Sequence, residues 1–151
     1  MTGIGTVIFS LLSGDSDITG VVAAAKIMPD YQRPANVPPF ITYRVSDTSH
    51  EHHLGGSTGL ARATVVISCV SAIADASGVS VAQDLAEKVR DTMDGKRGTL
   101  GPGGGTFDVR DISLDSKEDE YDPPRDGSER GIHSVNMVFT VWYRESIPTL
   151  A

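Results

Sequence analysis

The chain is poor in several things, and each shortage narrows the reading. It carries one cysteine, Cys69, among 151 residues. No disulfide can form within it, and a reducing compartment is the expected setting. No stretch approaches about 18 consecutive apolar residues, so no membrane-spanning helix is expected. There is no run of Lys and Arg either: 13 basic residues stand against 20 acidic ones, for a net charge of −7. Gripping a phosphate backbone needs clustered cations that release counterions, so a general nucleic-acid binder is excluded. The first residues lack the basic region of a secretory leader, which makes a cytoplasm the expected place of synthesis. No internal repeat and no linker divides the sequence, so a single domain over 1–151 is expected.

What is present is ordinary for a globular protein: 39% hydrophobic and 22% charged residues. Ile4, Val7, Ile8, Leu11 and Leu12 recur at helical spacing and make one apolar stripe. Gly14 stands where such a helix would stop. Asp17 is placed to cap a short turn over Ile18–Val22. Prolines 29, 34, 38 and 39 then force an irregular connection. Phe40–Ser46 alternates like a strand, Asp47–Gly59 reads as a polar loop, and Leu60–Ser71 reads as a second strand. Ala63, Val65, Ile67 and Cys69 point one way in that strand.

Ser80 and Gln83 have the form of a capping box. It opens a helix striped by Ala82, Leu85, Ala86, Val89 and Met93 and stopped by Gly95. After a glycine-rich loop over 96–105, a third strand covers Thr106–Leu114. Its phase break predicts a bulge near Arg110–Asp111. Asp115–Asp126 is dense in acids and reads as a solvated loop. The last strand covers Gly131–Arg144, with Val135, Met137, Phe139, Val141 and Tyr143 on one face. The expected fold is α+β: a four-stranded, mostly antiparallel sheet with two helices packed on one face.

The chemistry-bearing clusters do not add up to an enzyme. His50, Glu51, His52 and His53 offer imidazoles, but neighbours on extended backbone point to opposite sides and no further ligand stands at a recognisable spacing. Gly101–Gly105 follows a helix and leads into a strand, which is the wrong context for a phosphate cradle. The acids of 115–126 have no sign of the burial that a general acid needs. Cys69 lies mid-strand on the core side, with nothing nearby to lower its pKa. No catalytic residue, no metal site and no cofactor is expected.

The sheet's second face says more. The side turned away from the helices should be polar if it meets water. Yet Phe40, Val66, Val70, Val138 and Trp142 fall there, interleaved with Thr42, Arg44, Arg62 and Thr64. Aromatics mixed with Arg are the composition of an interface. Two readings stay open: a subunit interface through Phe40, Arg44, Arg62, Val66, Val138 and Trp142, or a face covered by the proline-bearing connection.

Several stretches in order resemble a known family. They are the short apolar helix ending near Leu12, Asp15–Val22, and Pro39-Phe40-Ile41-Thr42-Tyr43. His53-Leu54-Gly55-Gly56, Gly59-Leu60-Ala61-Arg62-Ala63 and Val65-Val66-Ile67-Ser68-Cys69 follow. The helix Ala82–Met93 runs into Asp94-Gly95-Lys96-Arg97-Gly98, and the end is Val138-Phe139-Thr140-Val141-Trp142-Tyr143-Arg144-Glu145. Together they resemble the tail completion (tail terminator, or tail-to-head joining) proteins of siphophages.

That resemblance implies a non-enzymatic virion protein, assembled in the host cytoplasm and placed at the head-proximal end of the tail. It implies a homo-oligomeric ring, expected as a hexamer, that caps the tail tube and ends its polymerisation. The ring then meets the head connector and lets DNA pass through its lumen without specific binding. Asp115, Glu118, Asp119 and Glu120 are the candidates for a lumen or partner loop. The alternatives are a head-side connector or stopper protein, and a module binding a small ligand or metal.

Overall fold

A computed structural model describes residues 3–29, 39–54, 56–72, 77–101, 107–122 and 131–144. The first helix, α1 (Ile4–Ser13), buries Ile4, Val7, Ile8 and Leu12, the stripe that the spacing predicts. It stops at Gly14, whose N–H donates to Ser10 O at 3.0 Å. A Cβ at Gly14 would sit 2.9 Å from that same oxygen, so only glycine fits this closely turned exit. Next comes α2 (Ser16–Thr19), capped by Asp15 and not by Asp17: the Asp15 carboxylate accepts from the N–H of Asp17 at 2.8 Å. A short 3-10 turn, Ala24–Lys26, follows.

The expectation of a four-stranded, mostly antiparallel sheet with two helices is overturned. Among the described residues the sheet has six strands, is mixed, and curls into a half-barrel accompanied by three α-helices. The strands are β1 (Ile27–Pro29), β2 (Phe40–His53), β3 (Gly56–Ala72), β4 (Gly98–Leu100), β5 (Phe107–Asp122) and β6 (Ile132–Arg144). Their order is β1-β2-β3-β6-β5-β4. β1 runs parallel to β2, and every other pair is antiparallel. The two added strands are three residues each, too short to leave an alternation in the sequence. One grows from the start of the proline-bearing connection and the other from the glycine-rich loop. The rest of those two segments, 30–38 and 102–106, lies outside the described residues.

Two loops expected from composition are strand instead. Asp47–His53 continues β2 and pairs with Gly56–Thr64. Asp115–Asp122 continues β5, and Ser116–Asp122 pairs with Ile132–Val138. Polar residues extend a strand readily when a neighbouring strand supplies the hydrogen bonds. The phase break in β5 is the predicted bulge, between Val109 and Asp111, and a second one lies between Leu114 and Ser116.

The longest helix, α3 (Ser77–Met93), begins three residues before the expected cap. Ser80 therefore sits inside its first turns, and the Gln83 side chain donates to Asp119 Oδ2 at 3.0 Å. Ala82, Leu85, Ala86, Val89 and Met93 are buried. The helix ends on Gly95 at φ +80°, a left-handed conformation that favours glycine. The buried residues of α1, α2 and α3 join Ile41, Ala63, Val65, Ile67, Cys69, Ile112, Val135, Met137, Phe139 and Val141 in one core. All three helices thus cover the same side of the sheet.

Candidate assembly surface

The opposite side of the sheet is built from rows of cross-strand neighbours. Phe40, Val70, Ser134 and Glu120 make one row; Thr42, Ser68, Asn136 and Glu118 the next; Arg44, Val66, Val138 and Ser116 a third. Beyond the bulge in β2, Arg62, Trp142 and Asp111 line up in another. All six residues expected at a subunit interface therefore share one side, because strand alternation places them there.

Their surroundings differ. Phe40 is buried, at 3% exposure, in a small second cluster with Met28 and Val70, against which Ile132 packs. Thr42, Ser68 and Ser134 beside it are buried too. The other end of the face is uncovered: Arg44 and Arg62 are exposed, and Val66, Val138, Thr140 and Trp142 are half-buried. The Arg62 guanidinium lies 5.5 Å from the centre of the Trp142 ring, a cation–π contact. Among the described residues neither Arg44 nor Arg62 has an acidic partner within ion-pair distance. The result is an apolar and cationic patch with a buried aromatic foot at one end.

The four acids expected on a loop stand on β5 and split by strand alternation. Asp115, Glu118 and Glu120 belong to the side of the patch. Asp115 accepts from the Thr140 hydroxyl. Glu120 accepts from Asn136 Nδ2 at 2.9 Å, and the Asn136 amide oxygen accepts from Ser68 Oγ at 2.6 Å. This chain of hydrogen bonds ties β5 to β3 across β6. Asp119 turns to the helical side, where it meets Gln83 and lies 3.6 Å from the buried His133. Beside it Lys117 pairs with Glu87 of α3 at 3.1 Å. Sequence reasoning missed this division, since a run of acids hides the two-residue period.

The chemistry-bearing candidates stay apart. Cys69 is fully buried, and burial pushes its thiol up to about 12, which leaves no thiolate nucleophile at neutral pH. Backbone pairing places His50 opposite Ala61. Among the described residues no group of three or more His, Cys, Asp or Glu side chains comes together to hold a metal. At α2 the Thr92 hydroxyl hydrogen bond, aided by backbone N–H groups, holds the Asp15 carboxyl below its ordinary value.

A family model described as tail completion protein gp17 matches residues 6–144, nearly the whole chain. The chain belongs to this family. It is a structural protein of a phage-type virion tail. A chain from a solved structure, the virion of a native gene transfer agent particle, is similar to it with a TM-score of 0.61 over 91% of each chain. At 16% identity that likeness is one of fold. No curated protein matches.

Proposed function

We propose that copies of this chain form a ring, a hexamer, that caps the head-proximal end of the tail tube, stops its polymerisation and joins it to the head connector. The observation that carries this reading is the uncovered half of the sheet. Arg62 stacked on Trp142, flanked by Val66, Val138 and Arg44, has the aromatic-plus-Arg composition of an association hot spot. Phe40 lies at the covered end of the same side, packed within its own chain. A closed ring needs two different patches that fit each other on successive copies, and the acids of β5 beside a cationic patch supply that asymmetry.

The excess of negative charge suits a conduit. Carboxylates facing the lumen repel duplex DNA, so it passes without sticking. Electron microscopy of particles made without this protein tests the reading. Overlong or unattached tails are the expected result. Intact tails beneath heads that leak DNA would instead place the protein on the head side, as a stopper.

A further inference from the structure

The two ends of the sheet are left open in a complementary way. β1 pairs with β2 only at Ile41, Thr42 and Tyr43. β4 pairs with β5 only at Phe107, Asp108 and Val109. The rim of β5 is closed a little further by the end of α3: Gly95 N–H donates to Ile112 O at 2.7 Å, and the Asp94 carboxylate accepts from Leu114 N–H at 3.1 Å. Beyond these points no strand among the described residues pairs with the rim of β5 over Ser116–Tyr121, or with that of β2 over Arg44–Ser49. An open strand edge is a template for another strand, and charges along it deter indiscriminate pairing. The β5 rim has such a guard, in Lys117, Glu118, Asp119 and Glu120.

Three successive antiparallel pairings separate β2 from β5, so the two rims run in opposite directions. A second copy set beside the first, the same way up, therefore brings its β2 antiparallel to the first copy's β5. That contact is head-to-tail, the kind that closes into a ring. The stagger follows from geometry. In a closed sheet whose strands tilt by about 35°, neighbouring strands slip by about one residue each, since the rise is ~3.3 Å and the spacing ~4.8 Å. Four steps lead from one copy's β2 to the next copy's β2, a slip of about four residues. Within the chain Arg44 shares a row with Ser116. Counted past the bulge between Leu114 and Ser116, the slip carries it opposite Asp111 or Glu120. The rim at Asp111 is already closed by Gly95, whose N–H donates to the adjoining Ile112 O; on that rim no strand among the described residues lies beside Glu120. An even slip also keeps Arg44 and Glu120 on the same side of the sheet.

We infer that copies of this chain join rim to rim, with Arg44–Thr48 of one copy added as an antiparallel strand to Ser116–Glu120 of the next and Arg44 paired with Glu120. This rests on the ring reading above and specifies how the ring closes. It assigns Arg44 and Glu120 to the joint.

The test uses tail tubes from particles that lack the protein. The double variant Ser46→Cys with Glu118→Cys is bound to them, oxidised and run on a non-reducing gel. Within one copy the two positions lie three strand spacings apart, about 14 Å, beyond the ~7 Å a disulfide can bridge. A ladder of covalent oligomers is expected from the double variant and none from either single variant. Arg44→Glu and Glu120→Arg should each weaken ring formation at least about tenfold, and the combined swap should restore it. Both positions are exposed, but Glu120→Arg also takes the acceptor from Asn136 Nδ2, so each variant's melting temperature is measured beside ring formation, and rescue is judged by the combined swap against Glu120→Arg alone. Rings visible by microscopy without a ladder, and without rescue by the swap, would overturn the rim joint while leaving the ring. A cross-link to the tube protein in place of a second copy would overturn it too. Wild-type protein that forms no ring on the tubes would overturn the ring reading itself.

Discussion

Truncating the two aromatics of the non-helical face, Phe40 and Trp142, should have opposite consequences. Phe40 is 3% exposed and packs on Met28, Val70 and Ile132. Removing a buried Phe side chain costs about 3–5 kcal/mol, and the low end applies because this cluster is small and stands at one end of the sheet. For a chain of about 150 residues that lowers Tm by about 6–12 °C. Trp142 is half-buried and stacked under Arg62. Its truncation gives up part of the ring's burial and a cation–π contact worth about 0.5–1 kcal/mol. The sum is about 1.5–2 kcal/mol, or roughly 3–8 °C. Association reverses the order. An aromatic anchor stacked with Arg is worth about 2 kcal/mol or more in an interface, near a thirtyfold change in affinity. Thermal melting of Phe40→Ala and Trp142→Ala, with co-sedimentation on tail tubes well below both melting temperatures, measures both effects. Trp142→Ala that sediments like the parent protein would refute the assignment of the patch. Phe40→Ala that melts like the parent would refute its place in the covered cluster.

Cys69 should resist an aromatic disulfide reagent in the folded protein and react at once in denaturant, since its thiol is fully buried and pushed up to about 12; rapid labelling of native protein would contradict the core assignment. Asp94→Ala should lower stability by about 1–2 kcal/mol, because it strips the acceptor from Leu114 N–H and the partner from Arg90, and a urea titration reads the change. Asp15 has a folded-state pKa held below its ordinary value, chiefly by Thr92. Its contribution is therefore complete above the ordinary carboxylate range and is lost as pH falls through the lowered value. Asp15→Asn should flatten that part of the acid unfolding curve, and an unchanged curve would contradict the link.

Most of the helical core was readable because apolar periodicity is a local signal. The stripes on α1 and α3 follow the 3.6-residue period, and Ala63, Val65, Ile67 and Cys69 follow the two-residue one. The bulge in β5 was readable too, since Phe107 and Val109 stand out of phase with Ile112 and Leu114. The continuation of β5 was not. Over 115–121 both sides of the strand are polar, one tied to Asn136 and Thr140 and the other to Gln83 and Glu87. Alternation between two kinds of polar partner leaves no hydropathy trace. β1 and β4 were hidden for a simpler reason: three residues hold less than two full periods. The shared side of the candidate patch follows from alternation alone, but its division into a covered corner and an open half depends on Met28 and Ile132, which are distant in sequence.

The most direct measurement is cryo-electron microscopy of the purified protein mixed separately with tail tubes and with tail-less heads. The account predicts a closed ring on one end of each tube and bare heads. Decorated heads with bare tubes, or single copies scattered along the tube wall, would contradict it.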